Sequence, residues 1–100
     1  MILDVRESSE WRAGHFERAV HIPLGQLRDR LGELPNDRPI LVHCAVGLRA
    51  HIAVRILRQH GFDARNLSGG WTTWRHVAAA AESARAYLPE PRAVPPEPKG

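Results

Sequence analysis

The chain has one cysteine, one lysine, one methionine and one tyrosine in 100 residues. A lone cysteine excludes an internal disulfide, so the chain is no disulfide-stapled scaffold, and a free thiol suits a reducing compartment. No apolar run approaches the length of a membrane span, so no membrane partner is expected. The opening "MILDVRESSEW" lacks the basic-then-apolar layout of a secretory signal. On these grounds the chain is read as cytoplasmic. Arginine almost replaces lysine, thirteen to one, and the formal net charge is +3. Runs of like charge are nevertheless absent. The arginines alternate with acids, as in "FERA" and "LRDRLGEL", and no aromatic residues interleave with them. That pattern describes solvated helix faces rather than a nucleic-acid interface.

What is present is an ordinary globular composition, 43% hydrophobic and 25% charged, enough for one domain with a modest core. "MILDV" reads as a short buried strand. "ESSEWRAGH" reads as one or two helical turns with Ser8 or Ser9 as N-cap and Gly14 as the stop. "AVHIPL" is a short strand ending at Pro23. Leucines at 24, 27, 31 and 34 have helical spacing, and "PNDRP" is a turn. "ILVHC" is a second strand. A helix follows from Gly47 or Leu48 to His60, with Ile52, Val54, Ile56 and Leu57 as its apolar face and Gly61 as its cap. "FDARNL" is a third strand, "SGG" a turn, and "WTTWRHVAAAAESARAYL" a helix, its four alanines favouring that state. Five of the last twelve residues are proline, so 89–100 is expected to be an extended or disordered tail. Strands alternating with helices predict an α/β domain over 1–76 with a central, mostly parallel β-sheet flanked by helices on both faces, then a C-terminal helix over 77–88.

The chemistry concentrates in "LVHCAVGLRAH". Cys44 ends a strand, and Ala45, Val46, Gly47, Leu48 and Arg49 lead into a helix. Sites in such sheets form at these junctions. A tight loop there aims successive backbone N–H groups inward and, with the helix N-terminus, makes an anion nest whose field favours the thiolate. Gly47 permits the tight fold, and Arg49 adds charge and donors for an oxyanion or for bracing the loop. A buried structural cysteine is the plain alternative. His43, Cys44 and His51 match no zinc-ligand spacing, so no metal is expected, and no cofactor is implied. The side chain of His43 should point to the opposite face from that of Cys44. His51 fits either the pocket rim or open solvent.

Four segments, "ILDVRESSEWRAGH", "AVHIPL", "ILVHCAVGLR" and "GFDARNLSGGWTTW", together resemble a rhodanese domain over roughly residues 2–75. The resemblance is greatest to the rhodanese domains fused behind flavin-dependent coenzyme A–disulfide reductases. The first strand begins at once, so either the domain is minimal or the chain is a piece of something longer; the resemblance would make it the tail end of such a fusion. The resemblance implies a sulfurtransferase with Cys44 as nucleophile. It would take a sulfane sulfur from thiosulfate or a low-molecular-weight persulfide, hold it as a persulfide in the nest of residues 45–49, and pass it to a thiophilic acceptor. The implied partners are a small-molecule sulfur donor, a thiol acceptor and a fused or separate flavoprotein disulfide reductase. It also implies that Asp4 and Arg6 brace the loop, the alternative being a local ion pair. Gly69 and Gly70 would let backbone approach the loop, Trp71 would wall the pocket, and Trp74 would join the core. Two departures stand out. Glu17-Arg18 replaces the family's usual Pro-Gly, and the loop interior is aliphatic where members that use thiosulfate well carry basic residues, which disfavours that dianion.

Two other readings compete. Protein tyrosine phosphatases have a similar cysteine-to-arginine loop with one residue more, and that width suits a phosphate, whereas six residues suit a single extra sulfur. The shorter loop and the lack of a positioned general acid oppose a phosphatase or arsenate reductase. The other reading is a non-catalytic rhodanese-like binding or regulatory module, which would have no need of the thiol.

Overall fold

The computed structural model describes residues 1–67, 70–72 and 93–94. Gly69, Trp74, the helix expected over 77–88 and the rest of the Pro-rich tail lie outside the described residues.

Four strands form one parallel sheet in the order β3-β1-β4-β5: β1 (Ile2–Asp4), β3 (Ala19–His21), β4 (Ile40–His43) and β5 (Ala64–Asn66). Every residue of β1 is buried, which explains its near-continuous apolar run at the centre of the sheet. The register places Asp4 opposite His21 on one side and His43 on the other. The chain segments leaving β1 and β4, which carry Arg6 and Cys44, therefore emerge at the same end of the sheet.

The α-helix α1 (Ser8–Arg12) follows β1, and α2 (Leu48–Gln59) follows β4. The N-cap of α1 is Glu7 rather than Ser8 or Ser9, because the Glu10 carboxylate reaches back to accept the Glu7 N–H at 3.0 Å. Helix α2 buries Ala50, Ala53, Val54, Ile56 and Leu57. Ile52, expected on that face, is 43% exposed, because a position two residues from Ala50 and from Val54 points to the far side of a helix. The leucine-spaced segment is not one α-helix. It forms two 3₁₀ stretches, Leu24–Gln26 and Arg28–Glu33, kinked at Arg30. A three-residue turn also brings Leu24 with Leu27, and Leu31 with Leu34, to one side, so the leucines still pack on the core.

Two residues of the tail are described, and they are extended. Ala93–Val94 (β6) pairs antiparallel with His15–Phe16 (β2). Prolines favour extended backbone without donating hydrogen bonds, and these two residues, which lie between prolines, keep their N–H groups.

Candidate functional site

Cys44 lies just past β4 and is 1% exposed. Its Sγ accepts the Gly47 N–H at 3.0 Å and the Ala50 N–H at 3.3 Å. Gly47, with φ of 117°, supplies the left-handed turn that brings the loop round onto the sulfur and starts α2. Sequence reasoning assigned the donors to residues 45–49. Of these Gly47 reaches the sulfur, and Ala50, one residue beyond, is the second donor. No side-chain pattern marks a backbone N–H, so Ala50 left no sequence signal.

Backbone from elsewhere holds the loop. The Trp71 N–H donates to the Cys44 carbonyl at 2.8 Å and the Thr72 N–H to the Ala45 carbonyl at 3.1 Å. The approach requires glycine at position 70, since a Cβ there would lie 2.2 Å from the Cys44 oxygen. The Trp71 ring meets Phe16 edge-on at 5.2 Å and lies 5.0 Å from the Arg6 guanidinium carbon. On the other side, the Asn66 side-chain amide donates to the Gly47 carbonyl at 3.2 Å.

Asp4 and Arg6 form a buried ion pair, 0% and 3% exposed, and so are not a surface pair. Arg6 Nη2 donates to Asp4 Oδ2 at 2.8 Å and to the Gly14 carbonyl at 2.8 Å. The pair therefore ties β1 to the end of α1 and stands beside the loop without contacting the sulfur. His43 is fully buried against Phe16, its Nε2 3.6 Å from Asp4 Oδ2 and without a hydrogen-bond partner. Burial pushes its pKa below the ordinary 6.5, opposed by the Asp4 charge and reinforced by Arg6. His51 is exposed.

Arg49 does not face an empty oxyanion site. Its guanidinium closes on the Glu10 carboxylate through two hydrogen bonds of 2.6 and 2.9 Å. This bridge, 39 residues apart in sequence, was not foreseen. Trp11 stacks on His15 at 3.5 Å and on His21 at 4.8 Å, which seats α1 and with it Glu10. The Arg49 hydrogen bonds hold the Glu10 carboxyl at about 2, and Glu10 in turn raises Arg49 further above the ordinary arginine value. Among the described residues no group of three or more His, Cys, Asp or Glu could hold a metal ion, and no helix is long and apolar enough to cross a membrane.

The thiol is buried and receives two backbone N–H groups at a strand-to-helix junction. The family model described as "Rhodanese-like domain" matches residues 1–76. The chain belongs to the rhodanese-like domain family. This rhodanese domain is 42% identical over 76 residues to an HTH-type transcriptional regulator of Mycobacterium tuberculosis, covering 74% of this chain and 34% of that one. It is 30% identical over 79 residues to the thiosulfate sulfurtransferase of Shewanella oneidensis, covering 78% of each. Among solved structures it is similar to reduced CoADR-RHD of Bacillus anthracis, at 37% identity and TM-score 0.74, covering 79% of this chain and 14% of that one. It is likewise similar to an NAD-dependent persulfide reductase of A. fulgidus, at 45% identity and TM-score 0.65, covering 74% and 14%. The rhodanese domain thus spans 34%, 59% and 40% of three curated relatives it matches. Sulfurtransferases are among its relatives at modest identity.

Proposed function

We propose that this rhodanese domain is a sulfurtransferase in which Cys44 is the nucleophile and sulfur carrier. The observation that carries the reading is the pair of N–H groups, from Gly47 and Ala50, already on the Cys44 sulfur. Such donors stabilise a sulfur anion, which is the attacking species, and the same nest then cradles the anionic persulfide. The Cys44 thiolate attacks the outer sulfur of a sulfane donor. The new S–S bond forms as the donor's S–S bond breaks and its electron pair leaves with sulfite or a thiolate. An external nucleophile then takes the outer sulfur and restores the thiolate. With one cysteine in the chain, the acceptor must be another molecule or another domain. A reductase partner fits that need, and the likeness to a persulfide reductase supports it. The bridge from Arg49 to Glu10 and the buried pair of Asp4 and Arg6 serve as braces.

The test is intact mass after incubation with thiosulfate or an alkyl persulfide, beside a Cys44→Ser control. The expected result is a gain of one sulfur that cyanide removes and the control lacks. No adduct from any donor would overturn the reading and favour a binding module.

A further inference from the structure

Among the described residues, the arginines beside Cys44 are already paired. Arg49 is the only charged residue of the loop, and both terminal nitrogens of its guanidinium are engaged by Glu10 at 2.6 and 2.9 Å. The next arginine, Arg6, is committed to the buried carboxylate of Asp4. The other loop side chains carry no charge, and two of them project outward: Val46 is 72% exposed and Leu48 70% exposed. Ile52, one turn along α2 from Leu48, adds a third exposed aliphatic side chain. Among the described residues, an incoming donor therefore meets an Arg49 that is already paired and exposed aliphatic side chains on the loop and the start of α2.

We infer that Glu10 is a specificity-determining residue: by neutralising Arg49 it makes Cys44 favour an uncharged alkyl persulfide over the thiosulfate dianion. The inference rests on the sulfurtransferase reading and refines it. Thiosulfate brings two negative charges to a thiolate whose only nearby loop cation is already paired, so its approach gains little from side-chain charge to offset the loss of hydration. A protonated alkyl persulfide, R–S–SH, brings none, and its alkyl group has Val46, Leu48 and Ile52 to lie against. Both reactions balance. With thiosulfate, the Cys44 thiolate takes the outer sulfur and sulfite leaves with the electron pair. With the persulfide, the Cys44 thiolate takes the outer sulfur, R–S⁻ leaves with the electron pair, and the proton of the transferred sulfur passes to it, giving the anionic Cys44 persulfide and R–SH. Glu10 touches neither reacting sulfur. It acts through Arg49.

The test compares the second-order rate constants for loading Cys44 with thiosulfate and with ethyl persulfide, followed by intact mass in single turnovers at low salt. Three proteins are used: the wild type, Glu10→Gln and Arg49→Gln. Glu10→Gln frees the Arg49 charge, and the thiosulfate-to-persulfide ratio should rise about tenfold. Arg49→Gln bares the Glu10 charge, and the ratio should fall about tenfold. A merely structural bridge predicts that both variants slow both donors together, leaving the ratio where it was. Ratios that move in the same direction in the two variants, or stay within about twofold of the wild type in both, overturn the inference. Should one variant fail to fold, the direction of the ratio in the other decides. Loading by neither donor in the wild type would instead sink the sulfurtransferase reading itself, so the two failures are distinguishable.

Discussion

Gly70→Ala is the sharpest probe of how the loop is held. The added Cβ would sit 2.2 Å from the Cys44 carbonyl oxygen, 3.0 Å from the Ala45 oxygen and 3.1 Å from the Cys44 carbonyl carbon. All three are backbone atoms, so no rotamer change can relieve the contact. The φ of 52° adds a cost of about 1 kcal/mol for a residue with a side chain. Relief requires the helical segment 70–72 to move off the loop, which breaks the bonds from Trp71 to Cys44 and from Thr72 to Ala45. Each is worth about 1 kcal/mol net. The total is about 3 kcal/mol, within the stability of a small domain, and corresponds to a fall in Tm of roughly 12–24 °C. Urea or thermal unfolding measures it, with Gly25→Ala as the control, since nothing lies within 4 Å of a Cβ there. Sulfur loading of Cys44 should slow in the same variant. A Gly70→Ala protein within about 1 kcal/mol of the wild type, loading at the wild-type rate, would refute the claim that this segment holds the loop.

Two further outcomes follow from the buried charges. Arg6→Met leaves Asp4 buried without its cation and should cost about 3–5 kcal/mol, most of which Arg6→Met combined with Asp4→Asn should restore, as read by urea unfolding of both. Stability should also fall in two steps on acidification. His43 is held below its ordinary value, so its contribution is complete above pH 6.5 and is lost as pH falls below it. Glu10 is depressed from 4.5 to about 2, so its contribution is complete above 4.5 and is lost on the way down to about 2. Glu33 beside Arg30 and Asp37 beside Arg38 act in the same direction as Glu10. Solvent screening at the partly exposed bridge holds the Glu10 step to about 1 kcal/mol. His43→Phe should flatten the first step and Glu10→Gln reduce the second in unfolding free energies measured across pH.

The central strands, α2 and the cysteine loop were legible because each is written locally: an apolar run, a helical period, a glycine where a turn must be tight. Ile52 was misplaced because an apolar count ignores angle: the buried face of α2 is made by Ala50, Ala53, Val54, Ile56 and Leu57, and Ile52 lies beyond its edge. The leucine segment misled because spacings of three and four suit an α-helix and a kinked pair of 3₁₀ turns alike. The bridge from Glu10 to Arg49, the pairing of His15–Phe16 with Ala93–Val94 and the Asn66 brace depend on contacts between distant residues. Nothing in the local pattern near Glu10 distinguishes it from any acid in a first helical turn. The buried state of Asp4 and Arg6 was likewise undecided, because two residues on one strand end read the same way whether water covers them or not.

The bonds that Trp71 and Thr72 make to the loop carbonyls have an effect on the far side of the same peptide groups. A trans peptide is a rigid plate with its C=O and N–H pointing in opposite directions. Fixing the carbonyls of Cys44 and Ala45 therefore fixes the N–H groups of Ala45 and Val46, which point away from the 70–72 segment. Neither plate can flip without giving up its bond, so the dipoles are oriented during folding and need little rearrangement when an anion arrives.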